Sequence, residues 1–382
     1  MPSATSAVLG LAAKLKEDGE DVISLGAGEP DFDTPEHIKE AAIKAIHDGH
    51  TKYTAIDGTS ALKDAIGRKF ERDNQLSYGH NEILVSCGAK HTLFNLCMAV
   101  LSEGDEAIIP VPYWVSYPDM VRVAEGVPVF VDTGIESDFK VTPDQLREAI
   151  TDKTRLLFLN SPSNPSGSCY TREELEALGE VLLEHPQVVV AADDIYEHVH
   201  WGESPFCSLA TAVPELKGQT VTINGVSKCY AMTGWRIGYA GGPAEVIKAM
   251  KTIQSQATSN PSSVSQAAAI AALDGDQQCV IDMNKAYTER SQYIVGALNS
   301  IPGFECRPGE GAFYAFPRVT GAIQAKGLKD DFELVKLILE EAIVVMVPGT
   351  PFGSPGYVRI SFACSLGQLE ESVRRIKAVL AG

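Results

Sequence analysis

Lys228 has the clearest claim to covalent chemistry in this sequence. A β-branched run, Val221-Thr222-Ile223, leads toward it and Ile237-Gly238-Tyr239-Ala240 leads away, so the backbone must turn between them. Gly225, Ser227, Ala231 and Gly234 remove bulk around the amine and leave room for something sizeable to pack against it. An amine held among apolar neighbours and near a second cation, here Arg236, has its charged form disfavoured and becomes a better nucleophile toward a carbonyl. A Schiff-base lysine requires those surroundings, although most isolated lysines are simply solvated.

Three further groups carry chemical potential. Asp193 and Asp194 end the apolar run Val188 to Ala192, and at least one of them must meet a cation or a protonated nitrogen, because unpartnered acids are not left inside. Asp194 reads as a helix N-cap. Arg359 sits in the otherwise apolar run Tyr357 to Phe362, where a planar guanidinium suits a bidentate carboxylate; an edge-strand arginine facing water is the competing reading. The unit Ile83 to Lys90 reads as a strand, a small-residue turn at Gly88-Ala89 and a helix start. Such a start presents free N–H groups and a partial positive charge suited to phosphate. It lacks the spacing of a Walker A loop.

The elements that must position these groups alternate strand and helix. Val22 to Leu25 predicts a strand leading into the Gly26 to Asp31 loop, which fails as a dinucleotide fingerprint because Asp31 replaces the last glycine and Pro30 blocks the helix start. Thr34-Pro35 predicts an N-cap and first helical residue, with Gly49 ending the helix. A second helix starts at Ser60 with Leu62, Ala65, Ile66 and Phe70 on one face. Arg155 to Asn160 and Val188 to Ala192 are apolar throughout, as in strands of a parallel sheet covered on both faces. Thr142-Pro143 and Thr171 cap further helices, and Pro243 and Pro261 start two more. A long helical region from about Asp276 to Asn299 marks the domain boundary. Beyond it come strands at Gly311 to Phe316, Val344 to Val347 and Tyr357 to Phe362, and a last helix carrying Leu366, Leu369, Val373, Ile376 and Val379.

The 382 residues are 45% hydrophobic and 21% charged, which suits two globular domains. With 32 basic against 50 acidic residues, the net charge of −18 argues against nucleic acid and anionic membrane partners but permits a small anionic substrate. Neither a signal peptide nor a membrane-spanning run is present, so a cytoplasmic location is expected. Eight cysteines without CxxC pairs read as reduced thiols. His198 with His200, or Cys87 with His91, lacks a clustered third ligand, and no metal is expected.

Gly225, Ser227, Lys228, Ala231, Gly234, Arg236 and Gly238 together resemble the pyridoxal-phosphate attachment motif of class I/II aminotransferases. Ser161-Pro162-Ser163-Asn164-Pro165-Ser166-Gly167 is close to the Asn-Pro-x-Asn-Pro-Thr/Ser-Gly signature of that family, with Ser161 where Asn is common. The motifs follow in family order from Gly28 to Arg359, and the chain is similar to bacterial aspartate aminotransferases of subgroup Ib. The resemblance implies an α/β chain of fold-type I. A large αβα domain with a mostly parallel sheet would span residues 36–285, and a smaller α/β domain would be built from both chain ends, 1–35 and 286–382, in a homodimer with shared active sites.

For the site, the resemblance implies pyridoxal 5′-phosphate bound covalently to Lys228. Asp193 would pair with the pyridinium nitrogen, and Tyr196 and Asn164 would contact the phenolic oxygen. Trp114 would stack on the ring, although on residue type it is equally a core aromatic. Gly88, Ala89, Lys90, Ser227 and Arg236 would hold the phosphate together with Tyr53, reaching across from the neighbouring subunit; alone, Tyr53 reads as a half-buried aromatic. Gly28, Lys90, Trp114, Asn164 and Arg359 would meet the substrate, the last two by its α-carboxylate, and the Asn164-Pro165 bond would be cis. Lys90 and Pro2-Ser3-Ala4-Thr5 would recognise a distal carboxylate; relatives usually carry about a helical turn or more ahead of that segment.

The implied reaction moves the amino group of L-aspartate to 2-oxoglutarate, giving oxaloacetate and glutamate. Close relatives handle aromatic amino acids, kynurenine or prephenate, and a C–S β-lyase shares the fold. A ligand-sensing regulatory domain is the non-enzymatic alternative, disfavoured because no basic helix-turn-helix segment is attached and Lys228, Asp193 and Arg359 are all present.

Overall fold

The computed structural model describes residues 4–381. Its centre is a seven-stranded sheet built from β2 (Ile83–Ser86), β3 (Glu106–Val111), β4 (Val127–Asp132), β5 (Thr154–Asn160), β6 (Val189–Asp193), β7 (Thr220–Gly225) and β8 (Gly238–Gly241). They stand in the order β2-β8-β7-β6-β5-β3-β4. Only β8 runs against its neighbours. The continuous apolar runs of β5, β6 and β7 find their cause here, since both faces of these central strands are covered. The helices Ala89–Val100, Tyr117–Val123 and Ala244–Ala257 pack one face. On the other lie Pro143–Ala149, Arg172–Leu183 and Leu209–Ala212.

Register then places the chemistry. Asn160 stands opposite Asp193 across β5 and β6, and Asp193 stands opposite Ile223 across β6 and β7. Gly225 pairs with Gly238, and Gly238 with Ser86. The loop bearing Lys228, the acid at the end of β6 and the Cys87-Gly88 turn therefore emerge side by side at the carboxyl edge of the strands, where open α/β sheets bind ligands.

Both chain ends meet away from this sheet. The two-residue strand β1 (Ile23–Ser24) pairs in parallel with β10 (Val344–Val345), and a three-stranded sheet has the order β11 (Val347–Pro348), β12 (Val358–Ser361), β9 (Tyr314–Ala315). The helices Gln278–Asn299, Asp331–Ala342 and Leu366–Ala381 complete a shared core.

Several local expectations are corrected. The run Val344 to Val347 is two ladders, not one strand, with Met346 between partners on different strands. The strand expected over Gly311 to Phe316 contracts to Tyr314–Ala315, because Ala312 adopts φ 55°, outside the extended region. Pro35, not Thr34, is the N-cap of the helix Glu36–His47; the Thr34 hydroxyl donates to the Ala231 carbonyl at 2.7 Å and accepts from Trp235 Nε1 at 2.9 Å, tying the N-terminal loop to the loop after Lys228. Asp194 caps no helix, since a turn follows β6. By contrast Thr142 and Thr171 cap their helices as expected, each in a capping box.

Candidate active site

A cavity of about 530 Å³ opens at the carboxyl edge of the sheet, and apart from Tyr53, Gly88 and the Pro2-Ser3-Ala4-Thr5 segment every residue expected at the site lines it. Lys228 Nζ donates to the Gly28 carbonyl at 2.5 Å. Burial, the Arg359 cation and, more weakly, Arg236 depress the amine to a pKa of about 8, against the pull of Glu29. At neutral pH a usable fraction of it is therefore an uncharged nucleophile.

Asp193 closes the inner end. The Tyr117 hydroxyl donates to Oδ2 at 2.6 Å, while the buried Oδ1 has no partner. Burial raises the carboxyl to a pKa of about 6, partly opposed by the Tyr117 hydrogen bond. A buried carboxyl lining a cavity is matched to a protonated ring nitrogen. Asn160 steadies this corner: its Nδ2 donates to the Asp193 carbonyl at 2.8 Å and its Oδ1 accepts from the Asn164 N–H at 2.8 Å. The Tyr196 hydroxyl, beside Asp193, lies 2.9 Å from the Tyr314 hydroxyl.

Arg359 approaches from the smaller sheet. Its Nη1 donates to Asn164 Oδ1 at 3.1 Å and its Nη2 to the Gly26 carbonyl at 2.9 Å, while the buried Nε has no partner. The guanidinium lies 4.6 Å over the Tyr314 ring, and it is 8% exposed. The edge-strand reading of Arg359 is thereby excluded, and the Asn164-Pro165 bond is cis.

At the outer end, Gly88 precedes the helix Ala89–Val100 with φ 88°, and a β-carbon on it would fall 2.3 Å from Arg236 Nη2. That clearance lets the Arg236 guanidinium sit on the turn, where it donates to the Cys87 carbonyl at 3.3 Å and the Thr233 carbonyl at 2.8 Å. With Ser227 and the first N–H groups of the helix it forms a cationic, donor-rich recess. Lys90 Nζ lies 4.8 Å over the Trp114 ring, its pKa lowered by burial and then by Arg236.

Tyr53 lies outside the cavity and is 90% exposed, not half-buried. Pro2 and Ser3 fall outside the described residues, as do the side chains of Ala4 and Thr5. Sequence reasoning missed Tyr117, Asn160, Tyr314, Glu29 and Thr233, all of which line the cavity. Asn160 was within reach of sequence: it ends the apolar strand that leads into the Ser161-Pro162 motif, and it pairs in register with Asp193.

The model of the family described as "Aminotransferase class I and II" matches residues 20–376. The chain belongs to this family. Enzymes of the family depend on pyridoxal phosphate, so this is a pyridoxal-phosphate-dependent aminotransferase of fold-type I. The "Aspartate/prephenate aminotransferase" of Nitrosomonas europaea is 55% identical, over 100% of this chain and 97% of that protein. The aspartate aminotransferase structure from Rhizobium meliloti superposes with a TM-score of 0.95 at 48% identity, covering 100% of this chain and 98% of that one. The Thermus thermophilus aspartate aminotransferase with maleate superposes at 0.92 with 43% identity, covering 99% and 97%.

Proposed function

We propose that this aminotransferase moves the amino group of L-aspartate to 2-oxoglutarate, giving oxaloacetate and glutamate, with pyridoxal 5′-phosphate held at Lys228. The observation that carries the reading is that Lys228, with its depressed amine, the buried acid Asp193 and the buried guanidinium of Arg359 all line one cavity.

When bound, pyridoxal 5′-phosphate supplies an aldehyde for amine exchange and a protonated ring that withdraws electrons from the substrate's α-carbon. Arg236, Ser227 and the N–H groups at Ala89 and Lys90 hold its phosphate. Asp193 would keep a proton on the ring nitrogen, and Tyr196 and Asn164 would meet the phenolic oxygen. Trp114 covers the ring. Arg359 grips the substrate's α-carboxylate with Asn164 and orients the α-hydrogen toward Lys228, which carries that proton as base and then acid. Gly28 offers its carbonyl to the Lys228 amine from the substrate side.

Lys90, within the cavity and partly desolvated, is the cation placed to meet a distal carboxylate. Prephenate is the second amino acceptor to test, because the Nitrosomonas relative carries that name.

The active assembly is a cytoplasmic homodimer in which Tyr53 completes the partner's phosphate site, a reading supported by the 90% exposure of this aromatic. No helix among the described residues is long and apolar enough to cross a membrane. Residues 36–285 form the large domain, and 1–35 with 286–382 form the small one. Arg359 then belongs to the part that closes over substrate and excludes water.

Lys228→Ala is expected to abolish both the imine absorption band and turnover; retained multiple turnover would overturn the reading. Mixing Lys228→Ala with Tyr53→Ala subunits should regain activity once the chains exchange, since one site of the two is then intact. A panel of aspartate, aromatic and prephenate-derived donors resolves the substrate.

A further inference from the structure

Tyr196 and Glu197 are neighbours in sequence with opposite tasks. Asp193 reaches the cavity from the end of β6 and Tyr196 from the turn after it, whereas Glu197 is absent from the cavity lining and is 5% exposed. The backbone joins this turn to the sheet at Asp194, whose N–H donates to the Ile223 carbonyl at 2.9 Å. The next two bonds, Glu197 N–H to the Asp194 carbonyl and Val199 N–H to the Tyr196 carbonyl, are internal to it. Past Asp194 the only further backbone tie from the turn among the described residues is at its far end, where the Val199 carbonyl accepts from the Ala312 N–H at 2.7 Å; between these two points side chains hold it.

Glu197 is the side chain equipped to do so. Its Oε1 pairs with the ammonium of Lys69, which is 1% exposed, and its Oε2 accepts from Asn74 Nδ2 at 2.8 Å. Lys69 Nζ also donates to Asn74 Oδ1 at 2.7 Å, closing a ring of three side chains. Lys69 and Asn74 both belong to the helix Ser60–Asn74, so one rigid element holds the turn from behind. His198 Nε2 adds a contact to Glu197 at 3.2 Å and another to Asp73 at 3.2 Å. Replacing a buried ion pair by apolar residues of similar volume is often neutral or stabilising. Stability alone is thus a weak reason for this one, and its fixed geometry is a better one.

We propose that Lys69 and Asn74, acting through Glu197, are positioning residues that set where Tyr196 stands against the cofactor ring. The proposal rests on the reading of the site given above. None of the three side chains touches the cavity, and their effect reaches the chemistry only through the turn.

The test uses the cofactor-loaded enzyme of the double variant Lys69→Met/Glu197→Leu, which removes both buried charges together, and of Asn74→Ala, which removes one attachment. Three quantities are read: thermal midpoint, kcat, and the pH midpoint of the cofactor's absorption band. The charged and titratable groups facing Lys228 are Glu29, Arg236, Arg359, Asp193, Tyr196 and Tyr314, and all stay unchanged. With the Tyr196 hydroxyl displaced, the ring's oxyanion is less stabilised and protonation persists to higher pH. In the double variant the absorption midpoint is expected to rise by at least about half a unit and kcat to fall about tenfold or more. Asn74→Ala should shift both in the same direction by less. A variant that melts normally with wild-type kcat and an unmoved absorption midpoint would overturn the proposal and leave the cluster a folding element. If the double variant does not fold, an unmoved midpoint in Asn74→Ala has the same force. An imine absorption band in the wild-type enzyme that survives Lys228→Ala would sink the parent reading instead.

Discussion

The Tyr117 hydroxyl donates to one oxygen of the Asp193 carboxylate at 2.6 Å and leaves the other oxygen bare. One phenol thus fixes the orientation of this acid within the cavity wall. Tyr117→Phe removes a hydrogen bond to a charged acceptor, worth about 1.5–3 kcal/mol. The expected outcome is a roughly tenfold or greater fall in kcat with little change in KM for aspartate, measured by steady-state kinetics.

The same acid carries a stability cost in the cofactor-free protein. Its pKa is about 6 folded against 3.8 as a free side chain. Between those values the folded state holds a proton the unfolded chain has released, so stability falls as pH rises through the window. The loss is about 3 kcal/mol in total. Cofactor-free Asp193→Asn should therefore melt a few degrees above wild type at pH 7–8 and close to it at pH 4. Calorimetry at both pH values checks this, and an advantage of equal size at pH 4 would contradict it.

Lys228 should show its depressed pKa directly. In the cofactor-free enzyme, acylation of this amine is expected to follow a titration centred near pH 8, read by peptide mass spectrometry. Burial is the larger cause and the Arg359 cation the second, so Arg359→Met should move the midpoint upward but not to the value of a free lysine.

Arg359→Lys keeps the charge and loses the planar fork. Because the guanidinium already spends Nη1 on Asn164 and Nη2 on Gly26, an ammonium cannot hold both and still face a carboxylate. A fall of about a hundredfold in kcat/KM is expected, with cofactor absorbance intact.

Gly88→Ala would place a methyl 2.3 Å from Arg236 Nη2 on a backbone at φ 88°. The guanidinium must swing off the turn. Cofactor affinity is expected to weaken about tenfold to a hundredfold, measured by equilibrium titration of the cofactor-free enzyme.

Much of this was legible in the chain. Lys228, Asp193 and Arg359 each stand out because their chemistry is costly in apolar surroundings, and the structure brings all three to one cavity. Tyr117 and Tyr314 were not legible as site residues. Each sits in an element whose apolar neighbours explain an aromatic by packing, and only the tertiary meeting with Asp193 or Tyr196 reveals the hydroxyl's use. Asp194 misled for a related reason. An acid after a strand commonly caps a helix, but here the chain turns back along the sheet to present Tyr196, and Asp194 stays buried with one oxygen unpartnered and its carboxyl pushed well up by burial. The small strands near Arg359 were overextended because apolar β-branched runs do not show where a ladder changes partner.

The antiparallel β8 gives the Lys228 segment an unusual mooring. Both feet of the loop stand on adjacent rungs, Gly225 beside Gly238, and the second foot is laced in turn to β2 and the Cys87-Gly88 turn. A load on that amine is thus shared between two neighbouring strands in the interior of the sheet, where a one-residue slip would invert every side chain on the rung. Engineers who lengthen or graft this segment should treat its two ends as one fixed socket and vary only the arc between them.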